Sequence, residues 1–140
     1  MPDLESWSTG RLLSTAARLS EHALNAALLE IGVTPAGVNV LTALNTHGPM
    51  AQTELAELMH VQPQTIGKTI ERLEASDYLS RPRSGPDRRV RLVAISSKGR
   101  TALKQAQHIE KDLADVTDTQ GYEFRRSLQT IIGHLTSLAK

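Results

Sequence analysis

The sequence predicts a mainly α-helical fold carrying one small β-hairpin, and three observations predict it. Apolar residues recur at helical spacing along most of the 140 residues. Two of these stretches are separated by only a short turn, and the second keeps a polar, cationic face. Directly after it come two strand-like stretches on either side of the turn formers Ser84-Gly85-Pro86-Asp87. With 39% hydrophobic but only 3% aromatic residues, the core has to be built from Leu, Ile, Val and Ala, which suits packed helices better than a sandwich.

Leu4 to Ile31 reads as one long helix, with Leu12, Ala16, Leu19, Ala23 and Ala27 on one stripe and Leu13, Leu24, Leu28 and Ile31 widening it. Gly32 is placed to end it. So much apolar surface exceeds what one small domain covers, so part of it is expected against a partner chain, with an intrachain core as the competing reading. Thr34-Pro35 offers a capping hydroxyl and a proline at the first helical position. The helix Pro35–Asn45 turns Val38, Leu41 and Leu44 inward, and His47-Gly48-Pro49 stops it. A short helix from Ala51 to Met59 follows, weakly started because Ala51 has no capping oxygen. His60 and Val61 lead into the next helix, Gln62–Glu74.

Beyond it, Tyr78–Arg83 reads as an edge strand, demoted by Pro82, and Arg89–Ile95 as the best strand of the chain. Ser96 caps a long helix to Val116 on Leu103, Ala106, Ile109, Leu113 and Val116. Thr117-Asp118-Thr119 breaks it before a last helix carrying Phe124, Leu128, Ile131, Ile132, Leu135 and Leu138. A helix-turn-helix followed by a hairpin with an arginine-loaded tip is a winged helix, here flanked by helices suited to an intertwined dimer interface.

The chemistry concentrates in Gln62–Glu74 and the stretch after it. Pro63 suits the first helical position, and Ile66, Ile70 and Leu73 form a narrow apolar stripe. Gln62, Gln64, Thr65, Lys68, Thr69 and Arg72 fall mostly outside it. Their amides, hydroxyls and cations are the groups that bond base edges and phosphates, although a plain solvated helix face has the same composition. Gly67 among them weakens the helix unless another surface approaches closely there. The net charge of +1 is uninformative, but its distribution is not. Arg81, Arg83, Arg88, Arg89, Arg91, Lys98 and Arg100 face a single acid, Asp87, over twenty residues, which points to a polyanion.

The order of elements resembles the MarR family, the multiple-antibiotic-resistance type of winged-helix transcriptional regulators. The wing carries the most specific match: Asp87-Arg88-Arg89, then Val90 to Ala94, then Ile95-Ser96-Ser97-Lys98-Gly99. Gly48-Pro49-Met50-Ala51-Gln52-Thr53-Glu54-Leu55-Ala56 is similar to the family's Gly-Pro-Leu-Thr-Gln-x-Glu-Leu-Ala, and Arg72-Leu73-Glu74-Ala75 leading to Tyr78-Leu79-Ser80-Arg81 is a third match. The resemblance implies a homodimer on a pseudo-palindromic double-stranded operator, acting as a repressor. Residues 34–99 would form the DNA-binding unit, and 1–33 with 100–140 the helical dimerisation region.

Carried over by position, Gln64, Thr65 and Lys68 would approach bases or phosphates, Arg89 would read the minor groove, and Asp87 would hold the wing tip. Gln62, Thr69, Arg72, Arg83 and Arg88 complete the set expected to contact DNA, although Arg72 could instead face Glu74 or Asp77. Gln62 and Gly67 depart from the family's usual cap and Thr or Ser, which leaves the operator sequence open.

The resemblance also implies a small aromatic or anionic effector between the dimer helices and the DNA-binding lobe, for which Trp7, His22, Asn25, His47 and Met50 are candidates. No cofactor, no metal and no membrane partner are expected. With no cysteine, disulfides, zinc fingers and thiol sensing are excluded. A metal-responsive regulator, using the His108 and Asp112 pair, and a winged-helix assembly module are the alternatives. No enzyme motif is present. Without a signal-peptide pattern or a membrane-length apolar run, a cytoplasmic location is expected.

Overall fold

The computed structural model describes residues 3–82 and 91–139. Helices dominate, in the order α1 (Thr9–Leu29), α2 (Pro35–His47), α3 (Gln52–Met59), α4 (Pro63–Ala75), α5 (Ser97–Asp118) and α6 (Gly121–Leu138). Three short strands, β1 (Met50–Ala51), β2 (Leu79–Ser80) and β3 (Leu92–Ile95), form one antiparallel sheet in the order β1-β3-β2. Met50 pairs with Val93 and Leu79 with Ile95, so the central strand turns Val93 and Ile95 into the core.

Helix α2 is the hub: it packs on α3, α4, α5 and β3. Val38, Leu41 and Leu44 are buried as their spacing predicts, and Val40 and Ala43 are buried too, because neighbours cover α2 on several sides. Around it gather Leu55 of α3, Ile66, Ile70 and Leu73 of α4, and Leu103 and Ala106 of α5. Each leucine or isoleucine fully buried this way contributes about 1.5–3 kcal/mol.

Several boundaries differ from those the sequence predicts. The stretch Leu4–Ile31 is not one helix. A single 3-10 turn, Leu4–Ser6, is capped by the Asp3 carboxylate, the chain extends at Trp7, and Ser8 then caps α1 by accepting the Arg11 N–H at 3.2 Å. Two competing capping side chains within six residues break the helix there. Strand β1 is an addition. Two residues after Gly48-Pro49 carry no readable period, and only their pairing with β3 makes them a strand.

Among the described residues the two predicted strands pair over short stretches. Of the described residues in Tyr78–Arg83 only Leu79 and Ser80 pair, and Pro82 beyond them has no N–H to give; of those in Arg89–Ile95, Leu92 to Ile95 form the strand. Arg83 and Val90 lie outside the described residues. The last break falls at Thr119-Gln120, with α5 running two residues further than predicted, and Gly121 follows with φ of 85°.

The turn between α3 and α4 puts His60 in the left-handed region, with φ of 55°. A Cβ there costs about 1 kcal/mol that glycine does not incur. His60→Gly should therefore raise stability by about 1 kcal/mol, read as a higher urea midpoint at unchanged slope.

Helix α6 has no buried residue and no substantial packing partner among the described residues. Ile132, Leu135 and Leu138 are 62%, 57% and 80% exposed, and Leu12 and Leu19 of α1 are also uncovered.

Candidate nucleic-acid interface

Helix α4 begins as its sequence suggests. Pro63 takes the first position, and the Gln62 carbonyl accepts from Thr65 and Ile66 at 3.0 and 3.2 Å. The Gln62 side chain makes no capping bond, so it gives up the roughly 1 kcal/mol that Ser or Asp would supply, and its amide stays exposed. Ile66, Ile70 and Leu73 are buried. On the other side Gln64, Thr65, Lys68 and Arg72 are exposed, with Thr69 half-buried beside them. Gln64, Thr65, Lys68, Thr69 and Arg72 line one open groove of about 390 Å³.

The preceding helix holds α4 at a fixed angle. Gln52, the first residue of α3, donates from Nε2 to the Pro63 carbonyl at 3.2 Å. That amide crosses Gly67, where an added Cβ would sit 3.1 Å from it. Gly67 is thus the close-approach position its mid-helix placement suggests, and the surface that approaches is a side chain of α3. Ala51 cannot cap α3, but Glu54 reaches back and accepts the Ala51 N–H at 3.1 Å, recovering part of the missing cap.

At the far end of α4, Glu74 pairs with Arg81, with N–O distances of 2.7 and 2.8 Å. Both side chains are partly exposed, so the pair contributes below about 1 kcal/mol. Its consequence is positional: with Glu74 occupied, Arg72 has no ion-pair partner among the described residues.

The base of the wing is tied at Ser96. Its hydroxyl donates to the Asp77 carbonyl at 2.6 Å and accepts the Gly99 N–H at 3.0 Å, while its N–H donates to the Tyr78 carbonyl at 3.0 Å. Tyr78 in turn donates its hydroxyl to the Ile31 carbonyl, linking the wing base to the α1–α2 connection. The Ser96 and Gly99 of the sequence motif therefore have structural roles, visible only once the two strand ends are side by side. Arg83, Asp87, Arg88 and Arg89 lie outside the described residues.

Of the five effector candidates, one lines a groove of the single subunit. Trp7 is half-buried under the Arg11 guanidinium, which stands 3.7 Å from the ring centroid. His22 and Asn25 are exposed on α1, and Met50 is half-buried in β1 against the core. His47 lines an open groove of about 380 Å³ between α2 and α3 with Asn39, Thr42, Leu58 and Met59, and none of the other four candidates lines it. No group of three or more His, Asp or Glu side chains among the described residues is placed to hold a metal.

Residues 33–90 match the family model described as "MarR family". The uncharacterized HTH-type transcriptional regulator YwoH of Bacillus subtilis (strain 168) is 32% identical over 111 residues, 76% of this chain and 80% of that protein. The chain belongs to the MarR family. As a MarR-family protein it is a winged helix-turn-helix transcriptional regulator, not an enzyme. A further relative, the HTH-type transcriptional repressor MdtR of the same strain, is 37% identical over 68 residues, 49% of this chain and 44% of that protein. In fold, the MarR-family chain superposes on a mutant MarR from E. coli complexed with operator DNA with a TM-score of 0.72, at 19% identity over 94% of this chain and 96% of that one. No helix among the described residues is long and apolar enough to cross a membrane.

Proposed function

We propose that this MarR-family regulator binds a pseudo-palindromic operator as a homodimer, with α4 in the major groove and the wing beside it, and that it represses. The observation that carries this reading is the exposed face of α4, where Gln64, Thr65, Lys68 and Arg72 gather on one groove while Ile66, Ile70 and Leu73 anchor the helix behind them. Amides and hydroxyls there serve base edges, and the two cations serve phosphates. Two relatives support the reading: MarR in its operator complex shares the fold, and MdtR is named a repressor.

In this proposal residues 34–99 form the DNA-binding unit, and 1–33 with 100–140 pair the subunits through the apolar faces of α1 and α6. Arg89 reads the minor groove, where narrow A·T-rich stretches draw an inserted guanidinium. A small aromatic or anionic effector between the helices and the DNA-binding lobe releases the operator by preferring a different spacing of the two α4 helices.

The test is a titration of Lys68→Ala against duplex DNA over a range of salt. Removing one phosphate-bound cation should reduce the log–log slope by about 1, hence about 1 for each subunit engaged. An unchanged slope with unchanged affinity takes the α4 face away from DNA. Arg89→Ala should weaken the complex strongly in a gel shift while leaving the melting temperature where it was. Equal affinity of the variant and the natural protein would remove Arg89 from its role.

A further inference from the structure

One wall of the α4 groove belongs to a different helix. Thr34, the residue that starts α2, lines it together with the α4 side chains. Its Oγ1 accepts the Gly37 N–H at 3.1 Å, which holds the hydroxyl at the groove wall. That bond uses an oxygen lone pair and leaves the hydroxyl proton free to be donated elsewhere. The rest of the groove carries the Gln64 amide, the Thr65 and Thr69 hydroxyls, the Lys68 ammonium and the Arg72 guanidinium, and no carboxylate lines it. Thr34 with the two cations, and no acidic neighbour, makes an acceptor-only oxyanion the fitting ligand for that wall, while the Gln64 amide and the Thr65 hydroxyl, which both donate and accept, stay suited to base edges.

The two walls are also locked together. Around Gly37 the helices approach so closely that an added Cβ would lie 3.3 Å from Leu73 Cδ2 of α4. A group bound to Thr34 is therefore held in fixed register with α4.

We propose that this groove seats a phosphate of the DNA backbone, with Thr34 donating a hydrogen bond to it beside Lys68 and Arg72. The start of α2 thereby sets how deeply α4 enters the major groove. This rests on the DNA-binding reading above and adds to it a phosphate ligand from outside the recognition helix.

The test separates capping from DNA binding. Asp, Asn and Ser all cap a helix as well as Thr or better, so Thr34→Asp, Thr34→Asn and Thr34→Ser should each keep the melting temperature of the natural protein. Against an A·T-rich palindromic duplex, Thr34→Asp sets a negative charge against the phosphate and should weaken binding by on the order of tenfold or more. Thr34→Ser keeps the donor and should bind as the natural protein does. If Thr34→Asp binds like the natural protein while Lys68→Ala is weakened, the α2 side of the groove is not against the backbone and the proposal fails, although the α4 reading stands. If neither variant is weakened, both fall. Weakened binding in Thr34→Asp accompanied by a lowered melting temperature would make Thr34 a structural cap only and would also overturn the proposal.

Discussion

Gly99→Ala should destabilise the protein by about 3 kcal/mol or more, as overpacking against backbone does. Gly99 lies in the first turn of α5, and an added Cβ would fall inside van der Waals contact of the Tyr78 carbonyl oxygen and 2.9 Å from Ile95 Cγ1. The Tyr78 carbonyl cannot retreat, because it also accepts the Ser96 N–H, and Ser96 is bonded to Asp77 and to Gly99 itself. Relief requires α5 to lift from the wing base, which would open the core around Leu103 and Ala106. At this size the melting temperature should fall by roughly 10 °C. Gly10→Ala is the comparison, since nothing stands within 4 Å of a Cβ added there. Equal melting temperatures for both variants would mean that α5 does not sit as closely on Tyr78 as described.

The second large effect concerns α6. Among the described residues nothing buries its apolar side: Ile132 is 62% and Leu135 57% exposed, Leu128 and Ile131 are only half-buried, and no residue of the helix is buried. Stable permanent interfaces bury about 2,000 Å² or more of largely apolar surface, and α6 with the uncovered leucines of α1 offers a surface of that kind. If α6 pairs the subunits as proposed, the double substitution Ile132→Glu and Leu135→Glu places two unpaired carboxylates in the interface, a cost of several kcal/mol per charge. Sedimentation at micromolar concentration should then show monomer in place of dimer. Operator affinity should fall by on the order of a thousandfold or more, because a subunit that binds one half-site forfeits the effective concentration of the other. A double variant that sediments and binds like the natural protein would show that α6 is not what pairs the subunits.

Much of the fold is legible because the chain repeats its signals at several levels. Ile66, Ile70 and Leu73 are spaced for a buried stripe and are buried; Thr34 and Ser96 are capping residues and they cap. The polar face of α4 follows from the same spacing, since whatever the stripe does not use is left to solvent. Features made by long-range pairing are not legible in this way. Met50 and Ala51 become a strand only because Leu92 and Val93 lie alongside. The need for glycine at position 99 comes from the carbonyl of Tyr78, on the other side of the wing. The close neighbour of Gly67 is a glutamine side chain on another helix. The break at Trp7 is hidden for a local reason: Ser8 suits both a helix interior and a cap, and the cap prevails. The effector candidates share only suitable residue types, with no spacing to bind them together.

If the α4 face meets a double helix in both subunits of a pair, the most direct measurement is the affinity of the natural protein for an A·T-rich palindromic duplex as a function of salt. With Lys68 and Arg72 of each subunit on phosphates, the plot of log affinity against log salt should fall with a slope of about −3.6 or steeper. A flat plot, or no binding to any duplex at low salt, would contradict it.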